Sequence, residues 1–502
     1  MDICSKKRHL AEVVDRYVRG EMARRDFLRA AGKLGLGLGA LALTRGMPFN
    51  PLNSISGFAF AADADKETAA WLKDVGKPFA GTTVKMATES TPPSKVFAEL
   101  VKKEFTPATG INVEIELLPL EQVLQKLTLD VATGLGSYDL YYLDQSWIAG
   151  FSGDTVDPRE LMETKKELAM PDYDMDDFLQ PLVDGISMYK GKMVAIPYDI
   201  PLFITMYRED IYNELGLDVP TNLDTFLSNA QAITKAKAPG MYGTTGQMKS
   251  GHYSLECDWT AWLWGHGGSI FRPDGTFSGN DERGIEAMEY WMKLKQSMPS
   301  GVTTWTWDGQ GKSIVTGKAA QVLSWGEFFP WFDNPKESVA SGKMQAALPP
   351  QPKALRTPEE AGFGEIPQIG HQGGSGLALS KYSKHSDAAW VFMQWVTSSD
   401  VQTRASIFGG GASPMRKSTY EDPRIIEAAK IGAGTTRHFD VTRKTIETMM
   451  GSEPDMPAWP EISNDIIPVE LGKFWAGDYK SPKEAMDVIA RKVDKITKDY
   501  RS

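Results

Sequence analysis

The feature that most constrains this chain is an alternation of patterns beginning at Gly81. "GTTVKMATE" (Gly81 to Glu89) has the β-branched enrichment of a buried strand. "SKVFAELVKKEFTPATG" follows, with Val96, Leu100, Val101 and Phe105 at helical spacing and a stop at Thr109-Gly110. "INVEIELLPL" reads as a second strand, "LEQVLQKLTLDVATGLG" as a second amphipathic helix closed near Gly134, and "YDLYYLD" as a third strand. Strand-helix-strand-helix-strand predicts an α/β fold with a parallel sheet and right-handed crossovers. In such sheets ligands sit beyond the carboxyl ends of the strands. Those ends are Glu89-Ser90, and Asp144-Gln145 followed by Trp147.

Farther along, "KMVAIPYDIPLFITMYRED" (Lys192 to Asp210) is strand-like on both sides of a Pro-Tyr-Asp-Ile-Pro break and reads as a crossing between two lobes. "NLDTFLSNAQAITKAKA" reads as a helix capped by Thr221 or Asn222. "KAAQVLSWGEFFPWF" (Lys318 to Phe332) reads as a return crossing and "GGSGLALS" (Gly373 to Ser380) as a third. "ALPPQPKALRTPEEAGFGEIPQ" reads as a long surface loop, and "DAAWVFMQWVTS" opens a helix-rich tail. A chain this long exceeds one ordinary core and suits two lobes. The expected division places 62–198 in the first lobe and 199–322 in the second. It returns 323–375 to the first and gives 376–502 to the second lobe and a hinge-packing helical tail.

The segment "MARRDFLRAAGKLGLGLGALALT" (Met22 to Thr44) pairs Arg24 and Arg25 with a weakly apolar run. That run falls short of the ~20 residues a membrane span needs. It is also broken by Lys33 and diluted by Gly32, Gly35, Gly37 and Gly39. Charged region, modest apolar region and small-residue site make an export signal. The "ARRDFLR" string is similar to a twin-arginine signal, with cleavage expected after Ala61. Loss of 1–61 leaves 45 basic and 60 acidic side chains, a net charge of −15. Such a surface repels nucleic-acid phosphates and anionic lipid, so no nucleic-acid partner is expected. Cys257 is then the sole cysteine and cannot form an internal disulfide. One cysteine with histidines scattered at 252, 266, 371, 385 and 438 does not build a structural zinc cluster, and neither metal nor cofactor is expected. "GGSGL" (Gly373 to Leu377) lacks the last glycine of a nucleophile elbow. "GQGKS" (Gly309 to Ser313) has Thr306 where a phosphate loop needs glycine.

The order of phrases resembles the family 1 extracellular solute-binding proteins of ABC importers, the group that mostly carries sugars and polyols. The matching run begins with "EFTPATGINVEIE", "GLGSYDLYYLDQSWIAGF" and "GKMVAIPYDIPLFITMYREDIYNELGLDVPTNLDTF". It continues with "WLWGHGGSIFRPDGTFS", "GKAAQVLSWGEFF", "SGLALSKYSKHSDAAWVFMQWVTS" and "GGGASPMRKSTYEDP". The tail beyond about 425 and the Pro-rich loop at 349–368 depart from it. The resemblance implies a two-lobed periplasmic-binding-protein-like fold, a hinge of crossing segments and a ligand cleft between the lobes. It further implies a periplasmic monomer that passes a sugar or polyol to membrane permease subunits. An uncleaved signal would leave that monomer tethered to the membrane.

A saccharide needs aromatic rings against its C–H faces and carboxylates, amides or Arg for its hydroxyls, since an unpaired buried hydroxyl costs ~1–3 kcal/mol. Strand ends offer Glu89, Ser90, Asp144 and Trp147, and the crossing between prolines offers Tyr198 and Asp199. Trp259 and Trp262 share a helix face, while Trp305 and Trp307 alternate as in an extended segment. Trp325 stands beside Glu327, and Gly374 and Ser375 can supply close backbone approach and a hydroxyl. Arg416 matches a family position that reaches the cleft from the second lobe. The rival is an exported carbohydrate-active enzyme using two carboxylates, which no motif supports.

Overall fold

The computed structural model describes residues 66–408, 413–429 and 437–501. The export signal read at 1–61 and its cleavage site lie outside the described residues. The first sheet grows from β1 (Thr83–Glu89), α1 (Pro92–Leu100), β2 (Asn112–Leu118), α2 (Leu120–Thr133) and β3 (Leu140–Asp144). The Thr91 hydroxyl accepts the Ser94 N–H to cap α1, and Gly134, in the left-handed region at φ 61°, closes α2. β1 pairs in parallel with β2 from Thr83↔Asn112 to Glu89↔Leu118, and with β3 at Met86↔Leu140. Short strands β4 (Thr155–Val156) and β5 (Ile196–Asp199) follow.

The chain then crosses to β6 (Phe203–Arg208), α3 (Leu223–Lys237), α4 (Tyr253–Gly265), α5 (Glu282–Lys295), α6 (Trp307–Val315), β7 (Gln321–Trp325) and β8 (Met344–Ala347). These three strands form an antiparallel sheet in the order β8-β6-β7 over a core that includes Ile204, Met206, Ile314, Val322 and Phe332. β9 (Gly370–His371) leads to β10 (Ser375–Ser380). β10 inserts antiparallel into the first sheet, beside β3, β4 and β5, giving the order β2-β1-β3-β10-β4 with β5 also on β10. α7 (Ser386–Val396) packs under it, where Phe392 and Trp395 meet Phe105 at 5.1 and 5.0 Å.

After α8 (Phe439–Thr448) and β11 (Met450–Gly451), α9 (Ile467–Ala476) and α10 (Pro482–Thr497) close on the second lobe's helices. There Trp475 meets Trp291 edge-on at 5.0 Å, and Asp494 accepts the Phe277 N–H. Among the described residues no helix is long and apolar enough to cross a membrane.

Strand pairing corrects two of the expected boundaries. Lys318 to Phe332 is not a return crossing, because β7 pairs with β6 and the chain turns back over Gly326–Phe332. Most of 323–375 therefore stays with the second sheet, and 376–396 belongs to the first. The hydrophobic pattern of β7 fits burial in either sheet and carries no information on which. The Pro-rich stretch is more than a surface loop: Glu365, fully buried, accepts from Trp264 Nε1 and from the N–H groups of Ile270 and Phe271 at 2.6–3.2 Å, strapping it to the second lobe.

Candidate functional site

Two chain segments, Asp199–Phe203 and His371–Ser375, run side by side between the sheets. They are joined by a bridge at Leu202↔Gln372 and by the Gly373 N–H donated to the Pro201 carbonyl at 2.8 Å. Ser375 is in register with both Asp144 and Asp199, so one strand start aligns the ends of β3 and β5. Above this seam opens a cleft with about 600 Å³ of free space. One wall is Glu89, Ser90, Thr91, Pro92, Leu120 and Asp144 from the first lobe. The other is Tyr253, Trp307, Asp308, Trp325, Glu327 and Phe328, with Pro201 and Gly373 as floor. A wider hollow of about 980 Å³ passes Lys190, Gly275, Phe363, Asp455 and Arg501, but none of the strand-end carboxylates reaches it. Among the described residues, the strand-end acids of the first lobe meet a tryptophan wall at the smaller cleft, which we assign as the site.

The aromatic floor is built in layers. Trp325 packs on Phe203 with centroids 4.2 Å apart and meets His371 edge-on at 5.6 Å. His371 Nε2 lies 2.8 Å from Glu453 Oε1, which also accepts the Tyr253 hydroxyl at 2.7 Å, while Trp459 Nε1 donates to the other oxygen at 2.6 Å. Glu256, Cys257, His371 and Glu453 bring one ligand atom each within 4.8 Å of one another. The fold thus joins a histidine to the lone cysteine, which the spread of histidines in the sequence concealed. With three donors on Glu453, this group reads as a hydrogen-bonded pillar beneath the floor.

The carboxylates are poorly neutralised. Burial, then Asp199 and Asp144, push Glu89 up to about 8, against the Tyr142 hydroxyl that donates to it at 3.2 Å. Burial and Glu453 raise Asp144 to about 7, although Ser146 donates its N–H and hydroxyl at 2.9 and 2.6 Å. Burial raises Asp199 to about 6, and neither of its oxygens has a hydrogen-bond partner among the described residues. The Thr91 hydroxyl and Ile200 N–H approach it only loosely and temper the rise. Glu327 is held well above the carboxylate range by burial, then by Asp199 and Glu89, and its Oε2 is unpartnered.

Of the residues singled out in the sequence, Glu89, Ser90, Asp144, Trp307, Trp325 and Glu327 line the cleft, with Asp199 close enough to act on Glu89 and Glu327. The others lie elsewhere. Trp147 is buried beyond β3. Tyr198 packs on Phe97 at 5.0 Å. Gly374 fills a gap where a Cβ would come 2.4 Å from Ile200, and Ser375 serves the strand register. Trp259 stacks on Phe277 and Trp262 lies between Phe226 and Tyr290, because α4 is buried along its whole length and helical spacing marks no cleft-facing side.

Arg416 is clamped 3.8 Å from the Phe178 ring and 4.8 Å from Tyr173, donating to the Thr397 and Asp174 carbonyls, far from the cleft lining. Arg416→Ala is expected to destabilise the fold by roughly 2–4 kcal/mol, since it strands buried acceptors, while leaving the folded protein's solute affinity intact. A tenfold affinity loss at unchanged melting temperature would contradict this placement.

Sequence reasoning passed over Thr91, Pro92, Leu120, Tyr253, Asp308 and Phe328, and placed Trp307 in an extended segment although it opens α6. The missed signal is shared: α1, α2, α4 and α6 all begin at the cleft, so their caps and first residues were the places to look.

The ABC transporter solute binding protein of Agrobacterium radiobacter K84 in complex with ribitol has the same fold over 83% of this chain and 99% of its own, at 26% identity and a TM-score of 0.72. A relative from Sinorhizobium fredii, described as a probable amino-acid ABC transporter periplasmic-binding protein, is 27% identical over 74% of this chain and 79% of its own. The erythritol/L-threitol-binding protein of Mycolicibacterium smegmatis is 22% identical over 86% and 87%. Residues 87–403 match the bacterial extracellular solute-binding protein family, and with the sheets, the crossings and the cleft in place the chain belongs to that family.

Proposed function

We propose that this protein captures a sugar or polyol in the periplasm and delivers it unaltered to the permease of an ABC importer. The observation that carries the reading is the facing of strand-end carboxylates in one lobe by Trp307, Trp325 and Glu327 in the other. Aromatic faces suit the C–H surface of a polyhydroxylated solute, and the carboxylates accept its hydroxyls. The ribitol and erythritol/L-threitol binders among its relatives support the same class. Glu121, at the start of α2, lies 3.2 Å from His252 Nε2 at the cap of α4, so the two walls already touch at the cleft mouth. Solute held by both walls favours the closed arrangement, and closure presents the docking surface for the permease. The carbohydrate-active-enzyme alternative finds no support in a family of solute binders.

A thermal-shift and calorimetric screen of the exported chain against sugars and polyols tests this. At a hundred times its Kd the true solute is expected to add about 2.7 kcal/mol of stability, with one-to-one stoichiometry and the solute recovered intact. Conversion of the solute, or indifference to every hydroxylated compound, would sink the proposal.

A further inference from the structure

The lining of the cleft is one-signed. Glu89, Asp144, Asp308 and Glu327 face it, Asp199 acts on two of them from behind, and among the described residues no lysine or arginine lines it. His252, at the cap of α4, is already engaged: Nε2 faces Glu121 at 3.2 Å, and Nδ1 meets the Ser254 hydroxyl at 2.9 Å. Four helix N-termini point at the cleft, each worth about half a positive charge, too little to keep all five acids ionised side by side. A neutral solute would use such groups as hydroxyl acceptors, but nothing in its chemistry calls for this many mutually repelling acids.

An independent observation points the same way. Glu327 is nine-tenths buried, and its Oε2 meets no donor among the described residues, although it sits in the lining itself. Both oxygens of Asp199, 2% exposed, likewise lack a hydrogen-bond partner among the described residues, with Thr91 and Ile200 approaching only loosely. Buried carboxylate oxygens are normally satisfied, because each orphan forfeits the full cost of its desolvation. The Trp325 and Trp307 rings line the same wall as Glu327, and an aromatic face of this kind attracts a cation.

Resting on the capture function proposed above, we infer that the natural solute carries a positively charged nitrogen among its hydroxyls, as in an amino sugar or amino polyol, held by Glu327 and Glu89 against Trp325, with Asp199 adding its field from behind them. The ammonium supplies the missing donors, and the hydroxyls take Asp144, Asp308 and Ser90.

Matched pairs test the charge alone: D-sorbitol against 1-amino-1-deoxy-D-sorbitol, and D-glucose against D-glucosamine, with spermidine as a cation lacking hydroxyls, each titrated calorimetrically into the purified protein at pH 7.5. At least one amine is expected to bind tenfold or more tighter than its neutral twin. Glu327→Gln, which keeps the shape but cannot ionise beside an ammonium, is expected to erase that gap. Asp308→Asn, at an exposed position, is expected to narrow it without risk to folding. A neutral twin that binds as well as its amine in the unmodified protein overturns the inference and leaves the capture of a hydroxylated solute standing. Spermidine binding while all four hydroxylated probes fail keeps the cation site and overturns the hydroxylated-solute reading. Silence from every probe overturns both.

Discussion

Trp325→Ala is expected to lower solute affinity by 30- to 1000-fold, the largest loss of any single change in the cleft. A central aromatic anchor is worth about 2–4 kcal/mol in a well-packed site, and each 1.4 kcal/mol is tenfold in Kd. Trp325 has what an anchor needs. Phe203 backs it at 4.2 Å, His371 braces its edge, and Glu453 fixes His371. The ring also sits so close to the floor that a Cβ on Gly373 would lie 2.8 Å from it. Gly373→Ala is therefore expected to tilt the platform and weaken binding without removing any aromatic surface. Trp325→Phe should recover most of what alanine loses. Removing a buried tryptophan also costs the core about 3–5 kcal/mol, so titrations must be made on protein shown to be folded. Wild-type affinity in folded Trp325→Ala would eliminate the cleft as the binding site.

The second large effect is on stability against pH. Burial lifts Glu89 and Asp258 to about 8, Asp144, Glu365 and Asp455 to about 7, and Asp199 to about 6. For these acids the folded state holds protons that the unfolded chain releases near pH 4. The stability they allow is thus fully present only below about pH 4 and is lost progressively as pH rises from there through the folded values. His438, stacked on Phe329 and lowered to about 3 by burial and Arg437, acts oppositely: its contribution is complete above about 6.5 and is lost as pH falls toward 3. Glu470 is held down to about 2 by Lys473, Lys492 and Tyr479 against its own burial, and its contribution fades below about 4.5. Six raised acids outweigh the one histidine, so the maximum should fall below about pH 5. A tenfold difference in proton affinity between the folded and unfolded chain corresponds to roughly 1.4 kcal/mol, and several acids share the sign. The unliganded protein is expected to melt several degrees lower at pH 8.5 than at pH 5.5. A melting temperature that is flat or rising across that interval would show that these carboxyls relax into solvent.

Much of the first lobe is legible in the sequence because its signals are local. The alternation from Gly81 to Asp144 sets three strands, their carboxyl ends and two of the site's acids, and the Pro-Tyr-Asp-Ile-Pro break sets one crossing. What escapes is whatever depends on long-range pairing or on which side of a helix meets what. Trp259 and Trp262 share a face, but α4 is wrapped on every side, so spacing cannot separate a ligand wall from packing. Arg416 carries a charge that suits a cleft, yet its neighbours Phe178 and Tyr173 come from more than 230 residues away in sequence and bury it. Tyr253 and Trp307 are ordinary helix-start residues until the fold turns those starts inward. β7 and β10 look alike as apolar runs, and only their partners decide that one stays in the second sheet while the other returns to the first.

The insertion of β10 also has a consequence for synthesis. Ser375 emerges from the ribosome about 230 residues after Asp144, a wait on the order of 10–50 s at ~5–20 residues per second. Throughout it, β3 keeps an open edge of the kind that invites association with other nascent chains. Whatever escorts this polypeptide must shield that edge until the strand that begins at Ser375 has emerged.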